Sequence, residues 1–317
     1  MNILIFSEYE PDDFLALWIL VMRYASALVT LVITENSGET LQAKCEDAAH
    51  FFPSWKVLRG ASSDKKRNFA KTVDAPDRFI ESYNGLLEEA APDIVFGLAP
   101  IRDIVHIVSS NPTYFSKTTA YFFGGFNFAC LTSTRKDIDW STFFEKHFEK
   151  VIVFEKNLIF EQDFNYSFTM ESGPFMKLLW DQPAEDARAV RLRIMITSWN
   201  RHIYEKMISD ISPFEKLQAI NKKNALRKLH LLKTIVNSPE QMVAADPIVS
   251  ILADENIHLH SRPVSFVLNE SGHFSYVYNP ASTVFLFDAS PYGTSWMDHD
   301  KAIHEEVESK MVSLFWG

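Results

Sequence analysis

Apolar and polar positions along the chain fall into two periods. Short β-rich runs predict strands at NILIFS (2–7), LVTLVIT (28–34), WKVLRG (55–60), DIVFGLA (93–99) and TTAYFFGG (118–125). Between them, DDFLALWILVMRYA (12–25), TLQAKCEDAAHFF (40–52), RFIESYNGLLEEAA (78–91) and IRDIVHIVSS (101–110) repeat their apolar residues near 3.6 and predict helices. Strands that alternate with helices predict an α/β fold, with a mostly parallel central sheet covered by helices on both faces.

The second half reads differently. Residues 173–244 are mostly helical in pattern, for example in PFMKLLW and ALRKLHLLKTIV. Strands return at PVSFVLN (263–269), FSYVYN (274–279) and TVFLFD (283–288), and a helix at about 298–315 closes the chain. No Gly/Ser-rich or Pro-rich linker divides these parts, so residues 1–317 are expected to form a single domain with a helical excursion at about 173–244.

Composition narrows the class. At 317 residues and 47% hydrophobic, the chain can bury a large core. Its formal charge of −10 disfavours a nucleic-acid or anionic-membrane partner, which needs a basic face. Two cysteines, Cys45 and Cys130, far apart and outside any metal-ligand spacing, suit a reducing, cytoplasmic setting. The opening run lacks a basic leader and is cut by SEYEPDD, so no signal peptide is expected. No apolar run reaches the roughly 20 residues of a membrane helix. A homo-oligomer is left open.

The chemistry concentrates in SEYEPDD. Glu8, Glu10, Asp12 and Asp13 fall within six residues, between the first strand and the first helix. In an open parallel sheet, ligands bind at the carboxyl ends of strands. One or two acids there suit the helix dipole, at about 0.3–1 kcal/mol each. Four repel one another unless a cation lies among them. Oxygen donors without histidine or cysteine suit calcium, with magnesium as the alternative, and not zinc. Helix capping with a solvated acidic loop is the plainer alternative.

The segment FSEYEPDDFLAL resembles the D-x-D-P-G-x-D-D-A-x-A-L signature of the nucleoside hydrolases, the inosine–uridine-preferring family. Further resemblances follow in the family's order: VLRGA (57–61), GLAPIRDIVHIVSSNP (97–112), AYFFGG (120–125) and AADPIVSILADENI (244–257). The resemblance covers most of the chain, and it is weak between about 140 and 235. It implies a parallel-sheet α/β fold that holds calcium and cleaves the N-glycosidic bond of a ribonucleoside or related N-riboside. It implies a metal shell of Glu8, Asp13, Asp246 and the backbone carbonyl of Leu98. It also makes Glu8 the general base, and it places Asp12 on the ribose hydroxyls as a second catalytic carboxylate. Asn36, Asn127, Asp137 and Asp139 are its candidate substrate contacts.

The departures from the family pattern bear on function. Phe6 stands at the family's first Asp, Glu8 at its second, and Glu10 at its glycine. Ala245 stands where many members have a histidine that protonates the leaving base. These changes motivate an alternative, a non-catalytic or altered-specificity descendant that binds a ribosyl ligand or a protein partner through the same acidic cleft. A third reading is an enzyme on a modified or phosphorylated nucleoside, with Lys65, Lys66 and Arg67 on the phosphate. His202 is a candidate replacement acid. Trp180 and Trp199 are core residues or stacking platforms. His106, His258, His260 and the basic run 221–233 read as surface.

Overall fold

The computed structural model describes residues 1–35, 41–62, 85–86, 89–123, 138–154, 169–170, 174–182, 186–211, 242–243, 246–253, 261–268, 274–287 and 296–317. Its strands are β1 (Asn2–Ser7), β2 (Leu28–Glu35), β3 (Lys56–Ser62), β4 (Ile94–Gly97), β5 (Thr119–Phe123), β6 (Lys150–Phe154), β7 (Thr169–Met170), β8 (Met242–Val243), β9 (Ser261–Leu268), β10 (Phe274–Tyr278) and β11 (Val284–Phe287). Its helices are α1 (Pro11–Arg23), α2 (Leu41–Phe51), α3 (Arg102–Ser110), α4 (Trp140–His147), α5 (Pro174–Asp181), α6 (Ala187–Ile211), α7 (Asp246–Leu252) and α8 (Trp296–Trp316).

Nine strands form one sheet in the order β10-β9-β11-β6-β5-β4-β1-β2-β3. From β3 to β11 every neighbouring pair is parallel. At one edge, β9 runs antiparallel to both of its neighbours, β11 and β10. The central strands are buried on both faces, which is why they read as continuous apolar runs. In β9, Val264 and Phe266 are buried while Val267 is exposed, the alternation of a sheet with one wet face. β7 and β8 pair separately as a short antiparallel ribbon.

Successive side chains of β1 point to opposite faces. Ile3 and Ile5 join Phe14 and Leu17 of α1, Ala48 of α2, Leu192 of α6 and Ile248 of α7 in one core. Leu4 and Phe6 join Ile104 of α3 and Phe144 of α4 in the other. Gly97 is required by this packing, because a Cβ there would lie 2.1 Å from the Phe122 ring.

The expected strands and helices match within a few residues wherever they fall on described residues. The helix expected at 78–91 lies largely outside them, as does most of the excursion beyond Ile211. The sequence pattern offered no element between 126 and 172, yet α4 and the interior strand β6 lie there. β6 is the five-residue run KVIVF and α4 makes about two turns. Segments this short carry too few repeats for either period to stand out. Among the described residues, no helix is long and apolar enough to cross a membrane.

Candidate metal centre

Strand order reverses around β1. β2 and β3 extend from one side of it, and β4, β5 and β6 from the other. Such a reversal opens a crevice at the carboxyl end of the strands. Ser7 ends β1 there, and α1 begins four residues later with Pro11, whose fixed φ and missing N–H suit a first helical position. The connection is tight, and Tyr9 adopts a left-handed φ of 56°.

Asp13 organises this turn. One of its carboxylate oxygens accepts from Ser7 Oγ at 2.7 Å and from the Glu8 amide at 3.1 Å. The other accepts from the Glu10 amide at 3.1 Å, closing one side of a capping box. Ser7 Oγ in turn accepts from the Tyr9 amide at 2.9 Å. Asp13 therefore serves the capping role of the plainer sequence reading.

It also does more. Asp246, the first residue of α7, brings a second carboxylate from 233 positions along the chain. Among the described residues, Asp12, Asp13 and Asp246 each place a carboxylate oxygen within 4.8 Å of the others. Asp13 and Asp246 are buried and Asp12 is partly buried. Burial pushes the Asp246 carboxyl well above its usual range, and Asp13, Asp12, Glu8 and Glu10 push it further. Burial and then the charges of Glu8, Asp12 and Asp13 do the same to Glu10. Burial also raises Asp13, against the hydrogen bond from Ser7.

The donor set fits a hard divalent cation. Two oxygens bound to one calcium at 2.3–2.6 Å lie at most about 5 Å apart, which accommodates the observed spacing. A cation among them would offset the like-charge repulsion that adds to burial at Asp246 and Glu10.

The other expected site residues fall as follows. Glu8 is half-buried on the turn, its carbonyl accepting from Lys44 Nζ at 2.8 Å, and its charge reaches Asp246 and Glu10. It is not part of the group of three. Leu98 follows β4 directly beside the end of β1, its amide donating to the Phe6 carbonyl at 3.0 Å. Asp139 is exposed and caps α4, accepting from the Ser141 amide at 3.1 Å and from Thr142 Oγ1 at 3.0 Å. The Ser141 and Thr142 hydroxyls hold its carboxyl below the usual range. Asn36, Asn127 and Asp137 lie outside the described residues, as do Ala245, His258, His260, Lys65, Lys66, Arg67 and the basic run 221–233. Phe6 is fully buried in the core on the α3 and α4 face. Trp180 is partly buried and packs against the other core.

A cavity of about 390 Å³ abuts the turn, within the size range of small-molecule sites. Tyr9, Glu10 and Pro11 line one side, and Lys44, Asp47, Arg191 and Trp199 line others. Asp47 is held from two directions, by Tyr9 Oη at 2.8 Å and by Arg191 Nε at 2.9 Å. Of these, Trp199 and Glu10 were singled out from sequence. Lys44, Asp47 and Arg191 were not, since no sequence signal links α2 to a residue 144 positions later on α6.

No family model matches the sequence, and no curated protein matches it. By structure, the chain is similar to an inosine-guanosine nucleoside hydrolase, at 12% identity and a TM-score of 0.54, over 97% of this chain and 99% of that one. It is similar also to the purine-preferring ribonucleoside hydrolase from Gardnerella vaginalis, at 11% identity and a TM-score of 0.50, over 98% and 99%. Across almost its whole length, then, the chain carries the fold of these nucleoside hydrolases, at low sequence identity to both.

Proposed function

We propose that the protein is a calcium-dependent N-ribohydrolase that cleaves the N-glycosidic bond of a ribonucleoside or related N-riboside. One observation carries this reading: the convergence of Asp12, Asp13 and Asp246 at the sheet's switch point. The fold shared with two nucleoside hydrolases supports it.

Asp13 and Asp246, with the Leu98 carbonyl, would hold the cation, and Glu8 would complete the shell from the turn. Calcium, when bound, supplies a site that orients a water molecule and lowers its pKa. Asp12, the least buried of the three acids, holds the ribose hydroxyls. As the glycosidic bond breaks, its electron pair leaves with the base nitrogen and positive charge develops on the ribose. The surrounding carboxylates stabilise that charge. Water oxygen bonds to the anomeric carbon, Glu8 takes the proton, and the departing base nitrogen takes up a proton from solvent. The aglycone extends into the neighbouring cavity, between Trp199 and the turn.

Glu8 is longer than aspartate by one carbon–carbon bond, about 1.5 Å. Displacement on that scale can cost on the order of 100-fold in rate. A modest turnover is therefore expected. The binding-only alternative is favoured by the apolar Phe6, buried in the core where the family's signature has an acid, and by the left-handed Tyr9 within the turn.

The test is free ribose released from a panel of ribosides, with and without a chelator. Release that stops on chelation supports hydrolysis. Calcium binding with no release from any riboside supports the binding role. Failure to bind calcium at all overturns both.

A further inference from the structure

Arg23 closes the last turn of α1 and reaches across to the last turn of α7. Its Nη1 donates to the Ser250 carbonyl and, at 3.0 Å, to the Ile251 carbonyl. Its Nη2 donates to the Ala253 carbonyl at 3.0 Å. Tyr24 Oη adds a 3.4 Å bond to the same Ala253 oxygen. The far ends of these two helices carry Asp13 and Asp246. The helices therefore lie side by side and point the same way, with both starts at the carboxylate group and both ends at Arg23.

Parallel alignment gathers like partial charges at each end. At the start, the buried carboxylates of Asp13 and Asp246 repel across the gap between α1 and α7. At the end, the last carbonyls of α7 present the negative pole of its dipole. A guanidinium fork satisfies several of them at once, which a lysine ammonium on a flexible stem does not. α7 has seven residues and is about 10 Å long, so pinning its last turn fixes where its first residue stands.

We propose that Arg23 is a positioning residue for Asp246: it clamps α7 to α1 against the repulsion between their starts and so keeps the cation shell assembled. The inference rests on the proposed role of Asp246 as a cation ligand. Arg23 touches neither cation nor riboside, and it acts through the short helix.

The experiment uses the full chain, with Arg23→Met and Arg23→Lys, each also combined with Asp246→Asn. In metal-free protein, amide exchange of α7 is expected to speed up about tenfold in Arg23→Met, in line with the loss of hydrogen bonds to a charged donor. Adding Asp246→Asn is expected to slow it again severalfold, because the repulsion that opens the helix is gone. Calorimetric titration with calcium is expected to show about tenfold weaker binding in Arg23→Met. In the Asp246→Asn background the same substitution is expected to leave the residual affinity within about twofold. Arg23→Lys, which keeps the charge, keeps the variant folded if Arg23→Met does not, and falls between. Unchanged α7 exchange in Arg23→Met and Arg23→Lys overturns the proposal. So does an affinity loss of equal size with and without Asp246. If the wild-type protein binds no calcium, the function proposed above fails, and the metal-free exchange experiment still decides the clamp.

Discussion

Ser7 Oγ and Asp13 Oδ1 lie 2.7 Å apart, so the last residue of β1 is tied directly to the first turn of α1. Both side chains are buried, and the same hydroxyl accepts the Tyr9 amide. Ser7→Ala therefore leaves a carboxylate oxygen short of a donor and an amide short of an acceptor. The expected loss is about 1–3 kcal/mol of unfolding free energy, measured by urea denaturation. Calcium affinity is expected to fall in parallel, because the turn that carries Glu8 loosens.

Asp246→Asn separates stability from binding. In the metal-free protein it removes a carboxyl whose charged form burial and the neighbouring acids disfavour, and stability at high pH is expected to rise. Calcium affinity is expected to fall on the order of 100-fold. Urea titration in chelator and calorimetry with calcium read the two effects. A variant that is less stable without metal and still binds calcium normally would contradict this account.

The same carboxylates set a pH dependence. Asp246 and Glu10 have folded pKa values raised above their ordinary 3.8 and 4.5. Between the ordinary and the raised values the native state holds more protons than the unfolded chain, so stability falls as pH rises through that window. In chelator, the urea midpoint is expected to be lower at pH 8 than at pH 5, with a smaller difference in Asp246→Asn and Glu10→Gln. Saturating calcium is expected to reverse the order, because protons compete with the cation for the same oxygens.

Trp199 lines the cavity without joining the carboxylate group. Trp199→Ala is expected to raise KM for ribosides about tenfold while kcat stays within about twofold, the pattern of lost uniform binding. Steady-state kinetics on the best riboside of the panel checks it.

Gly97 faces Phe122 closely enough that an added methyl group forces the ring to move. Gly97→Ala is expected to cost about 1–3 kcal/mol, and Phe122→Leu in the same chain to restore part of it. Thermal unfolding of the single and double variants measures both. Beside Leu98, this strain is also expected to weaken calcium binding.

Local pattern was enough to read the buried parallel strands, the helices between them and the acid-rich turn of residues 8–13, because apolar periodicity and charge density are properties of neighbouring residues. It also allowed two readings of Asp13, as cap or as cation ligand, and the structure gives Asp13 the capping bonds and places it beside Asp246 as well. Asp139, a candidate substrate contact, caps α4. Tertiary structure alone decided that α1 and α7 lie parallel, that Asp12 and not Glu8 completes the close group of three, and that Asp47 of α2 meets Arg191 of α6 across the cavity. Such meetings depend on strand order and helix packing between segments far apart in the chain, and no periodicity within a single segment encodes them.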